Sequence, residues 1–293
     1  MLRFLRIAVH VLSVPYAILA ITTSRTIHPH YRMNVLRRLG LGLRMFWNTL
    51  RIRTGTSYKS HLAMAVKLLE LPPERGGVVV ECGTWKGGSA TNLSLVCRIV
   101  GRRLRIFDSF QGLPEGHSGD REARFYRAGD YRGALEEVKR NIVRHGAIEV
   151  CDFVPGWFEE TLPGLDADVA LAFVDVDLES SLDCCVRHLW PRLIDDGYLF
   201  TDEVVGVDYV ALFYSERWWK TRFDRTPPGL IGAGSGIPLG EYYLGPLAEL
   251  AAHPLWLANS IGYTRKSMSG VWAYFPEEGS VPQAAPAPSP ARD

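Results

Sequence analysis

The sequence predicts an α/β chain, a mostly parallel sheet with helices on both faces, preceded by a helical arm. Three observations carry that prediction. Short apolar runs rich in β-branched residues alternate with helix-length segments from Gly77 to Thr201. Nearly every one of those runs leads into an acidic residue. The first 69 residues contain nine Arg, two Lys and no Asp or Glu, which sets them apart from the rest of the chain. At 293 residues and 47% hydrophobic, the chain is long enough for one large α/β core.

The arm is read as residues 1–56. Arg3 and Arg6 precede an apolar run from Ile7 to Thr23, the pattern of a signal peptide's start, but no small-residue cleavage site follows. The run is short for a membrane span and carries His10 and Pro15. Asn34 to Arg53 has amphipathic periodicity. Leu36, Leu39, Leu43, Phe46, Trp47 and Leu50 share one face, with Arg37, Arg38 and Arg44 on the other. Such a helix can lie on a membrane surface, cover the chain's own core, or meet a second copy. The net charge is only +1, so the basic arm is balanced by an acidic remainder.

A main domain is expected over residues 57–276. Ser57 to Leu71 reads as a helix stopped by Pro72 and Pro73. Gly77 to Cys82 reads as a buried strand, Ser89 to Val100 as a helix, and Leu104 to Phe107 as a strand ending at Asp108. Tyr131 to His145 is expected as a helix and Ile148 to Val154 as a strand. Asp168 to Val176 and Gly197 to Thr201 follow as strands around a helix from Ser180 to Ile194. Tyr209 to Phe223 reads as a further helix, and segments at Leu239–Leu244 and Val271–Phe275 could close the sheet. The glycines at 232, 234, 236 and 240 suggest a loop or lid. Residues 277–293 are Pro/Ala-rich and read as a disordered tail.

In an open parallel sheet, ligands bind beyond the carboxyl ends of the strands. Those ends supply Glu81 with Cys82 and Gly83, then Asp108, Asp175 with Asp177, and Asp202 with Glu203. The turn from Glu81 to Ser89 is glycine-rich, yet it is not the G-x-G-x-x-G fingerprint. A carboxylate at Glu81 would repel a pyrophosphate and welcome an ammonium or hydroxyls. An acid such as Asp108 commonly accepts hydrogen bonds from ribose hydroxyls, or else caps a turn. Together the two acids favour an adenosyl ligand without a pyrophosphate, and S-adenosylmethionine offers both an ammonium and a ribose. The clustered carboxylates Asp175, Asp177 and Asp202 require neutralisation, which suits Mg²⁺ or another hard divalent cation able to lower the pKa of a bound hydroxyl. Asp177 and Glu179 could instead cap the following helix, the reading preferred for Glu179.

These residues together resemble the macrocin O-methyltransferase (TylF-type) family of class I S-adenosylmethionine-dependent methyltransferases. The matching pieces are Val79-Val80-Glu81-Cys82-Gly83 with Lys86-Gly87-Gly88-Ser89, and Asp108-Ser109-Phe110-Gln111-Gly112-Leu113-Pro114-Glu115. Further on come Gly156-Trp157-Phe158-Glu159-Glu160-Thr161-Leu162-Pro163 and Asp175-Val176-Asp177-Leu178. The resemblance implies a Rossmann-like methyltransferase fold, a metal-dependent reaction and a hydroxyl acceptor, often a sugar of a natural product. Carried over by position, Glu81, Gly83, Gly87, Ser89, Asp108 and Ser109 would line the cofactor. Asp175, Asp202 and Glu203 would bind metal, with Asp175 also the general base, and Trp157 and Phe158 would stand near cofactor or acceptor. Two departures bear on the metal. Leu178 is followed by Glu179 where the family usually has Tyr, and Asp202-Glu203 replaces the usual pair of Asp.

Other classes are weighed against this. Asp175-Val176-Asp177 is also the D-x-D pattern of metal-dependent glycosyltransferases, although Glu81 and Asp108 disfavour a diphosphate. A membrane-surface scaffold without catalysis would suit the basic arm. Nucleic acid is not expected, because the strand ends are acidic and offer no basic, aromatic-lined groove. Five scattered cysteines with no C-x-x-C pattern point to a reducing, cytoplasmic setting. Peripheral membrane contact and homo-oligomerisation both remain compatible with the sequence.

Overall fold

The computed structural model describes residues 14–116, 120, 126–202, 204, 207–230 and 261–266. The N-terminal helices are α1 (Val14–Thr23), α2 (Val35–Arg51) and α3 (Tyr58–Glu70). The alternating part follows as β1 (Val78–Cys82), α4 (Gly88–Val100), β2 (Leu104–Asp108), α5 (Leu135–His145) and β3 (Cys151–Pro155). Then come the single turn α6 (Phe158–Thr161), β4 (Val169–Val174), α7 (Glu179–Arg192), β5 (Leu193–Thr201), the single turn α8 (Val207–Val210), α9 (Glu216–Phe223) and β6 (Gly262–Arg265).

The strands form one sheet in the order β3-β2-β1-β4-β5-β6. The first five are parallel, and β6 runs antiparallel to β5 with Tyr198 opposite Arg265 and Thr201 opposite Gly262. The order reverses between β1 and β4, so the crevice beyond their carboxyl ends is the switch point where such sheets bind ligands. Alternate residues of the strands serve two cores. Val79, Leu171, Phe173 and Phe200 pack toward α2, α3 and α4. Val80, Cys82, Ala172, Val174 and Leu199 pack toward α7 and α9, where Trp190, Phe213 and Trp219 fill the space.

The helices start where their caps dictate. Asn34 accepts from the Arg37 amide at 2.9 Å, and Ser57 accepts from the Ser60 amide at 3.4 Å. The arm is joined to the sheet by a continuous core, since Leu41, Met45, Phe46 and Tyr58 are buried in the same cluster as Val79 and Phe173. A polar thread crosses it. Asn48 Nδ2 donates to Asn92 Oδ1 at 2.9 Å, Asn92 Nδ2 donates to His61 Nδ1 at 2.8 Å, and His61 Nε2 meets Thr56 Oγ1 at 2.8 Å. Among the described residues, no helix is long and apolar enough to cross a membrane.

Four expectations are corrected. Helix α2 buries Leu41, Met45 and Phe46, whereas Leu36, Leu43, Trp47 and Leu50 stay exposed. The helix is rotated because Ile18 and Ile21 of α1 pack over Gly42, and Arg38 turns inward to donate to the Met33 and Ser24 carbonyls, each at 2.6 Å. Helix α5 begins at Leu135 rather than Tyr131, whose φ of 56° lies in the left-handed region. The expected strand from Ile148 opens instead as a 3₁₀ turn, and Cys151 begins the pairing with β2. The expected helix from Tyr209 to Phe223 is broken at Ser215, which caps α9 by accepting from the Trp218 amide at 3.2 Å. The strand-like segments at Leu239–Leu244 and Val271–Phe275, most of the glycine-rich loop and the tail lie outside the described residues.

Candidate active site at the sheet switch point

Strand β1 delivers Glu81 to the floor of the crevice, fully buried. Its carboxyl accepts from the hydroxyls of Ser89, at the start of α4, and of Thr84, the latter at 3.4 Å. Burial, and then the nearby Asp108 charge, push the Glu81 carboxyl up to about 8, against the pull of its two hydroxyl donors. A cation brought to this point would reverse that balance.

The turn after β1 passes very close to β4. Gly83 has φ of 81°, and a β-carbon there would stand 1.9 Å from the Asp175 carbonyl oxygen. Only glycine satisfies both conditions. Gly87 then forms the N-cap of α4, also in the left-handed region. Asp108, at the end of β2, ties this turn in place. One carboxylate oxygen accepts from the Thr84 amide at 2.7 Å and the other from the Phe110 amide at 2.6 Å. Burial raises its pKa and those amide donors lower it. Ser109 works within its own loop, donating to the Gly112 carbonyl at 3.0 Å and accepting from the Gln111 amide at 3.1 Å.

Asp175 follows β4, its amide donating to the Cys82 carbonyl at 2.9 Å, so Asp175 and Gly83 face each other across the switch point. Asp202 follows β5 and is nearly buried. Its charge bears on Asp177. Burial and then Asp202 push the Asp177 carboxyl up to about 7, while a hydrogen bond from Tyr126 pulls it down. Asp177 holds a left-handed φ of 59° and does not cap α7. That duty falls to Asp120, whose two oxygens accept from the Ser180 amide at 2.7 Å and hydroxyl at 2.9 Å. Glu179 occupies the first turn of α7.

The structure thus brings Glu81, Gly83, Ser89 and Asp108 together at one side of the crevice. Glu203 lies outside the described residues. Among the described residues, no three His, Cys, Asp or Glu converge as a metal site. Asp177 and Asp202, whose charges repel, are nonetheless a pair that a hard cation would stabilise. Phe158 is half-buried and packs against the core on the α7 side of the sheet.

Two features escaped sequence reasoning. The left-handed turn at Asp177 and the hydrogen bond that Tyr126 gives it were announced by no local pattern, although Asp177 and Asp202 were expected to crowd. An aromatic wall at the crevice is formed by Trp85, Tyr131 and Tyr126, with ring centroids 5.4 and 6.0 Å apart, and the Arg53 guanidinium lies 5.2 Å from the Trp85 ring centroid. The spacing of two nearby Tyr around a turn gives no such signal. Gly133 permits it, because a β-carbon there would stand 1.6 Å from the Trp85 carbonyl oxygen.

The model of the family "Macrocin-O-methyltransferase (TylF)" matches residues 61–221. The chain belongs to that family. It is 37% identical over 137 residues to the 8-demethyl-8-(2,3-dimethoxy-alpha-L-rhamnosyl)-tetracenomycin-C 4'-O-methyltransferase of Streptomyces olivaceus, covering 43% of this chain and 52% of that one. It is 33% identical over 137 residues, with the same coverage, to the demethyldecarbamoylnovobiocin O-methyltransferase of Streptomyces niveus. The match therefore spans about half the length of these curated relatives. Among solved structures, the O-methyltransferase NovP aligns with a TM-score of 0.52 at 21% identity, over 88% of this chain and 99% of that one. That likeness establishes the shared Rossmann-like methyltransferase fold.

Proposed function

We propose that this member of the family is an S-adenosylmethionine-dependent O-methyltransferase whose acceptor is a hydroxyl of a small molecule, a sugar in the first instance. The observation that carries the reading is the pair of acids, buried Glu81 and half-buried Asp108, on either side of a turn at the sheet switch point. Glu81 would hold the cofactor's ammonium, which would relieve its buried charge. Asp108 would keep the turn in shape and accept from ribose hydroxyls with its remaining lone pairs. Gly83 and Gly87 would let the cofactor lie against the main chain, with Ser89 orienting Glu81 and Ser109 holding the neighbouring loop.

Bound there, the sulfonium supplies a methyl group already activated by its positive charge. The chain then has to hold the acceptor oxygen in line and remove its proton. Asp175, across the crevice from Gly83, would take that proton. Asp202 and Asp177, with Asp175 and Glu203 as the family resemblance implies, would hold Mg²⁺ or another divalent cation, supplying Lewis acidity at the acceptor. Trp85, Tyr126 and Tyr131 offer ring faces and hydroxyls suited to a sugar ring. The rhamnosyl-bearing substrate in the name of the Streptomyces olivaceus relative supports this acceptor class.

Calorimetric titration tests the cofactor. S-adenosylmethionine should bind, and Asp108→Ala should weaken it by tenfold or more, in line with ~1.5–3 kcal/mol for a lost charged hydrogen bond. Binding of a uridine-diphosphate sugar in its place would overturn the reading. Methyl transfer from labelled cofactor to a panel of glycosides and phenols, with and without Mg²⁺ and chelator, would identify the acceptor class and the need for metal.

A further inference from the structure

Helix α2 carries two outward rows at seven-residue spacing, Leu36, Leu43 and Leu50 beside Arg37, Arg44 and Arg51, and all six are exposed. At about 100° per residue the leucines and Trp47 span about 60° of arc, with the arginines adjoining. Leu36 is 76% exposed and Trp47 51%, although both belong to a helix whose other side is core. Helix α1, packed alongside, exposes Leu19 as well. Next to the rows, where the C-terminal end of α5 meets α2, is an open cleft of about 390 Å³ lined by Arg44, Trp47, Asn48, Arg51, Arg144 and His145. It has no carboxylate. The helix-end carbonyl of His145, which would repel an anion, already accepts from Arg44 at 3.2 Å and Asn48 at 3.3 Å. His145 is held below its ordinary pKa by desolvation and then by Arg51, Arg144 and Arg44, as expected where cations crowd together.

We propose that this face docks on an anionic lipid bilayer, the Leu36–Trp47–Leu50 stripe entering the interface and the arginine cleft receiving a headgroup phosphate. Charge complementarity selects this occupant. The first 69 residues hold no acid, so a two-fold contact with a second copy would set one arginine row against another. An interfacial helix requires an apolar stripe bordered by cations and a Trp at headgroup depth, which α2 provides. The proposal is independent of the methyl-transfer reading, and its test does not use activity.

The full-length chain is sedimented with vesicles of phosphatidylcholine alone and of phosphatidylcholine mixed with phosphatidylglycerol. Binding to the mixed vesicles only is expected. Arg44→Glu with Arg51→Glu should weaken it about tenfold or more, and Leu43→Ser with Leu50→Ser comparably, with circular dichroism unchanged because all four side chains are exposed. Inorganic phosphate at the ionic strength of a sodium chloride control should compete no better than that control. Equal binding to neutral vesicles, no binding to either, or retention by both variants overturns the proposal. So does sedimentation velocity showing a dimer that the Leu43/Leu50 variant dissociates, since the stripe would then be a subunit interface. Phosphate displacing the protein beyond the salt control would assign the cleft to a soluble anion and also overturn it.

Discussion

Gly83 and Asp175 meet across the sheet switch point so closely that a β-carbon on the glycine would lie 1.9 Å from the Asp175 carbonyl oxygen. The contact joins the turn after β1 to the end of β4. Gly83→Ala combines that clash with a left-handed φ of 81°. A loss of about 3 kcal/mol or more is expected, from strain plus displaced backbone. Thermal unfolding would read the stability, and titration with S-adenosylmethionine should show weakened binding even below the new midpoint.

Glu81 sets a pH dependence. Its folded pKa is raised from 4.5 to about 8, so the protonated form contributes stability that is fully present below about 4.5 and is lost as pH rises through about 8. A cationic ligand favours the ionised form, so its affinity should move the opposite way. Affinity for S-adenosylmethionine should increase from about pH 6 to about pH 8, above which the cofactor's own α-amino group loses its proton, and Glu81→Gln should flatten that rise. A wild-type profile that is flat over the same range would remove Glu81 from the cofactor's ammonium.

Asp175→Asn separates chemistry from binding. The amide cannot take a proton, so kcat should fall by about 10²–10⁴-fold while the cofactor Kd changes little. Equal losses in kcat and in cofactor affinity would point to a structural role for Asp175 at the Gly83 contact.

His61 predicts acid lability. Burial lowers its pKa from 6.5 to about 3, so the neutral imidazole contributes stability that is present above about 6.5 and is lost as pH falls toward about 3. Denaturant midpoints should decline across that window. Asn92→Ala, which leaves His61 Nδ1 and Asn48 without their shared partner, should cost about 1–3 kcal/mol at neutral pH.

What was legible in the sequence was local. The run Val78–Cys82 with its glycine turn, and Leu104–Asp108, announce buried strands and the acids at their ends because apolar runs and glycines act over a few residues. That Asp177 and Asp202 would crowd was legible from the strand ends, but the contact of Tyr126 with Asp177 was not. It needs a left-handed residue and a contact between segments far apart in sequence. Strand β6, Gly-Tyr-Thr-Arg, has no alternation to mark it. It is a strand by virtue of pairing with β5, where Tyr263 stacks on Phe200 at 5.0 Å between ring centroids. The rotation of α2 was hidden for another reason. Leu36, Leu41, Leu43, Met45, Phe46, Trp47 and Leu50 reach most of the way round the helix, and only the packing of α1 decides which of them face inward.

The shared core of α2, α3 and the sheet bears on how this protein can be cut. The family match starts at residue 61, inside α3, beyond the Ser57 cap and Tyr58. A chain trimmed to that boundary would uncover Met64, Leu68 and Val79 and strip Asn92 of its partners Asn48 and Met45, leaving it only His61, and the product should be insoluble. The start of recognisable homology and the start of a foldable unit are different places on this chain, and a chimera between relatives should keep α1, α2 and α3 together with the sheet, since Ile27, Tyr31 and Met33 ahead of Asn34 are buried in the same core.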